Sequence, residues 1–249
     1  MAKNSSLIKI EGTLDDLTFY KGKEGYLVRT KGGISKSRIE NDPAFIRTRE
    51  NNAEFGQSAS AGKMLRRSII DLLNNAKDDR VTSRLTQVMS RVKNNDLTSP
   101  RGKREVAIGL TNPAGRQVLN GFNFNANAPL DSVLLTEFAL NTATGEISIP
   151  LFAPLQHVAI PQGATHVSLQ SGFLNLDFAT GVKDLQLSNT VNLAFSGFGG
   201  AVTLTPAGVP VGSGNSLYFL KVTFFQEVNA VQYPLKNGAF NALQLVEVL

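Results

Sequence analysis

The sequence predicts an α+β protein: an N-terminal β-hairpin plus an αα-hairpin, followed by a C-terminal antiparallel β-sandwich. Three observations predict it. Apolar residues recur at helical spacing between residues 43 and 93. Beyond residue 105 the period falls to two, with turn residues breaking the pattern into short runs. The charge changes at the same place. Residues 1–104 carry 21 Lys+Arg against 12 Asp+Glu, and residues 105–249 carry 4 against 8, so a head of +9 precedes a tail of −4. The reading therefore divides the chain into a basic α+β head (1–98), a polar linker Ser99-Pro100-Arg101-Gly102-Lys103-Arg104, and a sandwich (105–249).

Within the head, Leu7-Ile8-Lys9-Ile10 reads as a first strand, ended by Glu11-Gly12. Leu17–Tyr20 and Tyr26–Thr30 flank a loop with two glycines, which predicts a hairpin. The stretch 34–41 has no clear period and is expected as an extended arm. Asp42-Pro43 is a helix start, an Asx cap followed by proline in the first turn. Phe45, Asn52, Phe55, Ala59, Gly62, Ile69 and Leu73 follow at close to 3.5-residue spacing, and Leu65, Leu72 and Ala76 widen the stripe. Val81, Leu85, Val88 and Val92 define a second helix after a turn at residues 74–79. Each helix has one apolar face, so a further layer must cover the pair.

The tail is expected to hold about nine strands. Val106–Leu110 is the first, ended by a turn at Asn112-Pro113-Ala114-Gly115. Val133–Leu140 and Glu146–Phe152 flank a hairpin loop at residues 141–145. Val167–Leu169, Phe173–Phe178, Leu185–Leu187, Val191–Phe195, Val202–Leu204, Leu217–Phe225 and Ala242–Val248 follow, the last after a turn around residues 233–238.

Composition excludes more chemistry than it offers. The chain has no Cys, which removes disulfides, thiolate nucleophiles and Cys-ligated zinc together. Its two histidines, His157 and His166, come with no cluster of acids. Gly56-Gln57-Ser58-Ala59-Ser60 lacks the last glycine of a nucleophile elbow. Gly197-Phe198-Gly199-Gly200 and Gly212-Ser213-Gly214 are followed by no Lys-Ser/Thr, so they read as turns rather than phosphate loops. Asp15-Asp16 and Asp78-Asp79 read as turn carboxylates. No enzyme activity, cofactor or metal is expected. No run is long and apolar enough to span a membrane, and the N-terminus carries no apolar signal core. This fits cytoplasmic synthesis and is compatible with a virion or signal-independent export.

The reading of function is a self-assembling structural protein, a filament, tube or virion component whose partner is itself. Opposite charge on the two halves favours a heterologous head-to-tail contact, and such contacts polymerise when they do not close. The expected interface is Leu7, Ile8 and Ile10, adding as a strand to a neighbour, with Phe45, Phe55, Ala59, Gly62, Ile69 and Leu73 on the helical stripe. Two alternatives stand beside it. One is nucleic-acid binding by Lys21, Lys23, Arg29, Lys31, Lys36, Arg38, Arg47 and Arg49, interleaved with Phe19, Tyr20 and Tyr26. The other is a small-ligand carrier using the sandwich interior.

The run Gly12-Thr13-Leu14-Asp15-Asp16-Leu17-Thr18-Phe19-Tyr20-Lys21-Gly22, with Val28-Arg29, resembles a family of uncharacterised Bacteroidota proteins. So do the Arg47…Phe55…Ala59 helix and Phe225-Gln226-Glu227-Val228-Asn229…Tyr233-Pro234-Leu235-Lys236-Asn237-Gly238-Ala239-Phe240-Asn241-Ala242-Leu243. The resemblance covers both ends of the chain. It implies a bacterial or bacteriophage origin and carries over no catalytic residue.

Overall fold

The structure, a computed structural model, describes residues 2–4, 9–30, 32–235 and 240–249. The chain is mixed α+β and falls into two compact units, one ending at Arg49 and the other running from Glu50 to Leu249.

The first unit holds an antiparallel sheet of β1 (Ala2–Lys3), β2 (Gly12–Leu14), β3 (Leu17–Gly22) and β4 (Gly25–Thr30), in the order β1-β4-β3-β2. The expected hairpin is β3–β4. It turns through Lys23-Glu24, between the paired Gly22 and Gly25. A second tight turn at Asp15-Asp16, with Asp15 at φ 48°, joins β2 to β3. The expected strand at 7–10 is described only at Lys9 and Ile10, neither of which is in a strand. Leu7 and Ile8 lie outside the described residues, and Ile10 is exposed.

The expected extended arm is in part a helix, α1 (Lys36–Asn41). Ser35 caps it, its side chain accepting from Arg38 N. Asp42 then caps a 3-10 turn, Pro43–Phe45, accepting from Ala44 N at 2.9 Å. No described residue of this unit is buried.

The second unit has three layers. The helical layer comprises α2 (Ile46–Ser68, which the division between units crosses), α3 (Ile70–Leu73), α4 (Val81–Lys93), α5 (Val106–Thr111) and α6 (Pro113–Leu119). After α7 (Leu130–Val133) the chain is mainly β: β5 (Ala139–Leu140), β6 (Ile147–Phe152), α8 (Pro154–His157), β7 (His166–Leu176), β8 (Lys183–Leu187), β9 (Val191–Ala194), β10 (Gly200–Leu204), β11 (Asn215–Val228), β12 (Val231–Pro234) and β13 (Ala242–Val248). Strands β7 and β11 pair along eleven residues and form the spine of a six-stranded sheet. β8 and β9 share the outer edge of β7, and β12 and β13 share that of β11. A three-stranded sheet, β10-β6-β5, makes the third layer.

Alternation along the spine assigns its two faces. Leu174, Leu176, Leu217, Phe219, Leu243 and Leu245 share one core with Leu65, Leu72, Leu85 and Met89 of the helices. Val167, Leu169, Leu220, Val222, Phe224 and Ala242 share another with Ile147, Ile149, Val202 and Leu204 of the small sheet. Tyr218 stacks on Phe173 with ring centroids 4.5 Å apart, and its hydroxyl donates to Thr142 O in the β5–β6 loop at 2.6 Å. The small sheet is thereby fastened over the spine.

Several sequence expectations change here. The expected strand Val133–Leu140 is a strand only at Ala139–Leu140, because Leu130–Val133 closes a helical turn first. Val106–Leu110 is helical, not a strand, and Asn112-Pro113 starts α6 instead of making a turn. The Asn112 side chain accepts from Ala114 N at 3.0 Å and Pro113 sits in the first turn. Replacing Asn112 by alanine should cost about 1 kcal/mol, read as a lower urea midpoint at unchanged slope. The proposed linker at 99–104 does not separate two bodies either. The helices on its N-terminal side bury Leu65, Leu85 and Met89 in the same core as the sheet residues on its C-terminal side. The Asp96 carboxylate gathers this loop, accepting from Thr98 N, Ser99 N and Glu105 N.

Candidate functional site

The residues expected at an assembly interface separate into those the fold has used and those it leaves accessible. Gly62, Ile69 and Leu73 are buried within the second unit, Gly62 facing Leu85 and Met89 of α4. They are not available to a partner, because α4 covers Gly62 and the central sheet covers Ile69 and Leu73. Phe55 is 63% exposed and Ala59 half-buried, one turn apart on α2. Phe45 is half-buried in the first unit, beneath the Arg38 guanidinium at 5.8 Å.

The accessible part forms a groove. α2 and α4 run antiparallel, since Glu54 meets Lys93 while Gly62 meets Leu85. Small residues on α2 hold the helices close. Ser58 is fully buried and donates to Glu54 O at 2.9 Å, so its hydroxyl adds no unmet polarity. On the outer side Phe55 and Ala59 face Thr82, Thr86 and Ser90 across a groove of about 690 Å³. Thr86 donates to Thr82 O at 2.8 Å and Ser83 to Arg80 O at 2.9 Å. Those hydroxyls are taken up by the helix itself, and the groove is left suited to an apolar group.

Beneath the groove lies a buried ion pair. The Glu54 carboxylate contacts Lys93 Nζ and accepts from Gly102 N at 2.8 Å. Burial alone pushes the Glu54 carboxyl up, but Lys93, the Gly102 amide and nearby Arg104 outweigh it and hold the group below its ordinary value. A similar arrangement joins α4 to the segment before α7. Asp78 contacts Arg84 and accepts from Ala126 N at 2.8 Å, while Arg84 donates to Asn123 O and Phe124 O. These charges serve the fold.

The cations proposed for nucleic acid are distributed differently. Lys21 lies 5.8 Å from the Tyr26 ring and Arg29 5.5 Å from the Tyr20 ring. Lys36 pairs with Glu40 at 3.7 Å and Arg38 with Asp42 at 3.2 Å. Arg49 donates to Ile39 O and Asp42 O. Lys23 and Arg47 also have partners, and Lys31 lies outside the described residues.

Neither histidine joins an acid cluster. His157 Nδ1 accepts from Ala153 N at 3.2 Å, and His166 lies 3.5 Å from Glu227. Among the described residues no group of three His, Cys, Asp or Glu is placed to hold a metal, and no helix is long and apolar enough to cross a membrane.

One feature had no sequence signal specific enough to single it out: exposed apolar side chains on the side of the small sheet. Leu151 and Leu155 are 67% and 65% exposed, and Phe198 is fully exposed between glycines. Gly199 lies against Phe152 O and Ala153, which places this loop beside β6 and α8. Compared with known proteins, the chain matches no family model, no curated protein and no solved structure.

Proposed function

We propose that the protein is a non-enzymatic structural subunit that assembles with copies of itself. In this reading the helical layer of one copy's second unit meets the small-sheet side of the next. The observation that carries it is the distribution of charge across the layers. Lys77, Arg80 and Arg91 are exposed on or beside α4, and Lys63 and Arg67 on α2. Of the acids nearby, Glu54 and Asp78 are committed to Lys93 and Arg84, and Asp71 and Asp79 are exposed, so the five cations outnumber the exposed acids there. The opposite side carries Asp131, Glu137 and Glu146. The two described cations after residue 120, Lys183 and Lys221, both turn to the helices, donating to Arg67 O and Asp71 O.

Each side also offers an apolar counterpart, the groove beside Phe55 and the protruding Phe198 with Leu151 and Leu155. Two different complementary faces make a heterologous contact, the kind that propagates. Attraction between exposed charges is screened within about 10 Å at about 0.1 M salt, so assembly should weaken as salt rises.

The nucleic-acid alternative is favoured less, because Lys36, Arg38 and Arg49 already have acidic or carbonyl partners. The carrier alternative is favoured less, because Ile147, Ile149, Leu204, Leu220 and Val222 fill the space between the sheets. Sedimentation velocity tests the proposal. Wild-type protein should show large species that Phe55→Asp and Phe198→Asp each abolish while circular dichroism stays unchanged. A monodisperse monomer at high concentration and low salt would refute it.

A further inference from the structure

A second crevice in the same unit, separate from the groove, lies between α2 and the loop leading into β8. Its volume is about 410 Å³, within the range of small-molecule sites. Lys63 and Arg67, one turn apart on α2, and Lys183 at the start of β8 line it, with Ser60 and Met64 beside them. No acidic residue lines it, and among the described residues none of the three cations takes part in an ion pair.

The acids flanking Lys183 in sequence are occupied elsewhere. Asp177 accepts from Ala179 N at 2.8 Å and Thr180 Oγ1 at 2.6 Å, and Asp184 from Val211 N at 2.7 Å and Gln186 Nε2 at 2.9 Å. Lys183 Nζ donates to Arg67 O at 3.2 Å, which ties the two walls together at the C-terminal end of α2. The negative end of that helix offsets about half a unit charge, so three unpaired cations leave a surplus of about two and a half.

We propose that this crevice binds the phosphoryl group of a small, soluble phosphate ester or diphosphate, with Arg67 and Lys63 as the principal ligands and Lys183 closing the third side. A doubly charged oxyanion offsets most of that surplus. Arg presents a planar fork to such a group, and Lys a compact charge. The thioether of Met64 gives the rest of the ligand an apolar surface to lie on. The inference does not depend on self-assembly.

Calorimetric titration of the full chain with inorganic pyrophosphate tests it. The expected result is saturable binding of one equivalent, weakened about tenfold or more in Arg67→Gln and in Lys63→Gln. Both side chains are exposed, so the fold tolerates these changes. Binding should be unchanged in Lys77→Gln, a cation outside the crevice, and in Phe55→Asp, which removes the proposed assembly contact. The idea fails if pyrophosphate gives no saturable heat, or if Arg67→Gln and Lys63→Gln bind as wild type. It also fails if Phe55→Asp or Lys77→Gln loses binding to the same extent. A single-stranded oligodeoxynucleotide that binds through the same residues when pyrophosphate does not would replace it with a nucleic-acid site.

Discussion

Gly109→Leu should leave the second unit unable to fold stably. α5 crosses α4 at Gly109, where an added Cβ would lie under 3.0 Å from Val92 O and C. Gly115 of α6 meets the Gly109 carbonyl in the same way. Both obstructing groups are backbone, so no rotamer change relieves the overlap. Overpacking against movable side chains costs about 1–3 kcal/mol, and here the helices themselves must separate. That is a large share of the roughly 5–15 kcal/mol by which a domain is stable. The expected readout is insoluble protein, or a urea midpoint lowered by about half. Gly56→Ala is the matching control. Gly56 is exposed in the middle of α2 with nothing within 4 Å of its added Cβ, so alanine there should stabilise by about 1 kcal/mol.

Glu54→Ala should cost about 3–5 kcal/mol, because it leaves the Lys93 ammonium buried without its counter-ion. The Gly102 amide loses its acceptor as well, so the 99–104 loop should become protease-sensitive. The same chemistry fixes the response to acid. Burial raises the carboxyls of Glu54, Asp78 and Asp96. Hydrogen bonds reverse this at all three, and a facing cation adds to them at Glu54 and Asp78, holding them below their ordinary values of 4.5, 3.8 and 3.8. A carboxylate with a depressed folded-state pKa contributes stability that is present above its unfolded value and lost as pH falls through its folded one. Thermal stability should therefore hold above about pH 5 and fall steeply below about pH 4. Glu54→Ala should start lower and show a shallower fall.

How far the sequence could be read is clear from two dipeptides. Asp42-Pro43 and Asn112-Pro113 carry the same signal, a capping side chain before proline, and both start helical segments. The second is harder to see because Val106-Ala107-Ile108-Gly109-Leu110 is a short apolar run, which periodicity alone cannot assign to strand or helix. The crossing of α5 over α4 decides it, and that contact is tertiary. A related ambiguity splits β7 in the sequence. Gln170-Ser171-Gly172 looks like a break, but Gly172 continues the strand because Leu72 of α3 packs where its side chain would be. By contrast, the helix at 81–93 is legible because its 3.6-residue spacing runs unbroken, and Ala242–Val248 because its alternation is interrupted only at the register shift beside Val246.

The stripe from Phe45 to Leu73 shows the limit for the site. Its spacing marks an apolar face, and spacing does not say what covers it. The central sheet covers Ile69 and Leu73, α4 covers Gly62, and Phe55 stays exposed. The charge asymmetry was legible as a count along the chain. Its division between the units, +4 of the head's +9 falling in residues 1–49 and +5 in residues 50–104, and the commitment of Glu54 and Asp78 to internal partners required the fold.

The central claim is that two different, oppositely charged faces of the second unit meet between copies. Mixing two charge-reversed variants tests it most directly. One carries Lys77→Glu, Arg80→Glu and Arg91→Glu on the helical side, and the other Asp131→Lys and Glu137→Lys on the small-sheet side. Each alone should sediment as a monomer, because both of its faces then carry the same sign. Mixed in equal amounts, the acidic faces of one should meet the basic faces of the other, and large species should return. Monomers that persist in the mixture, or variants that assemble alone as wild type does, would contradict the account.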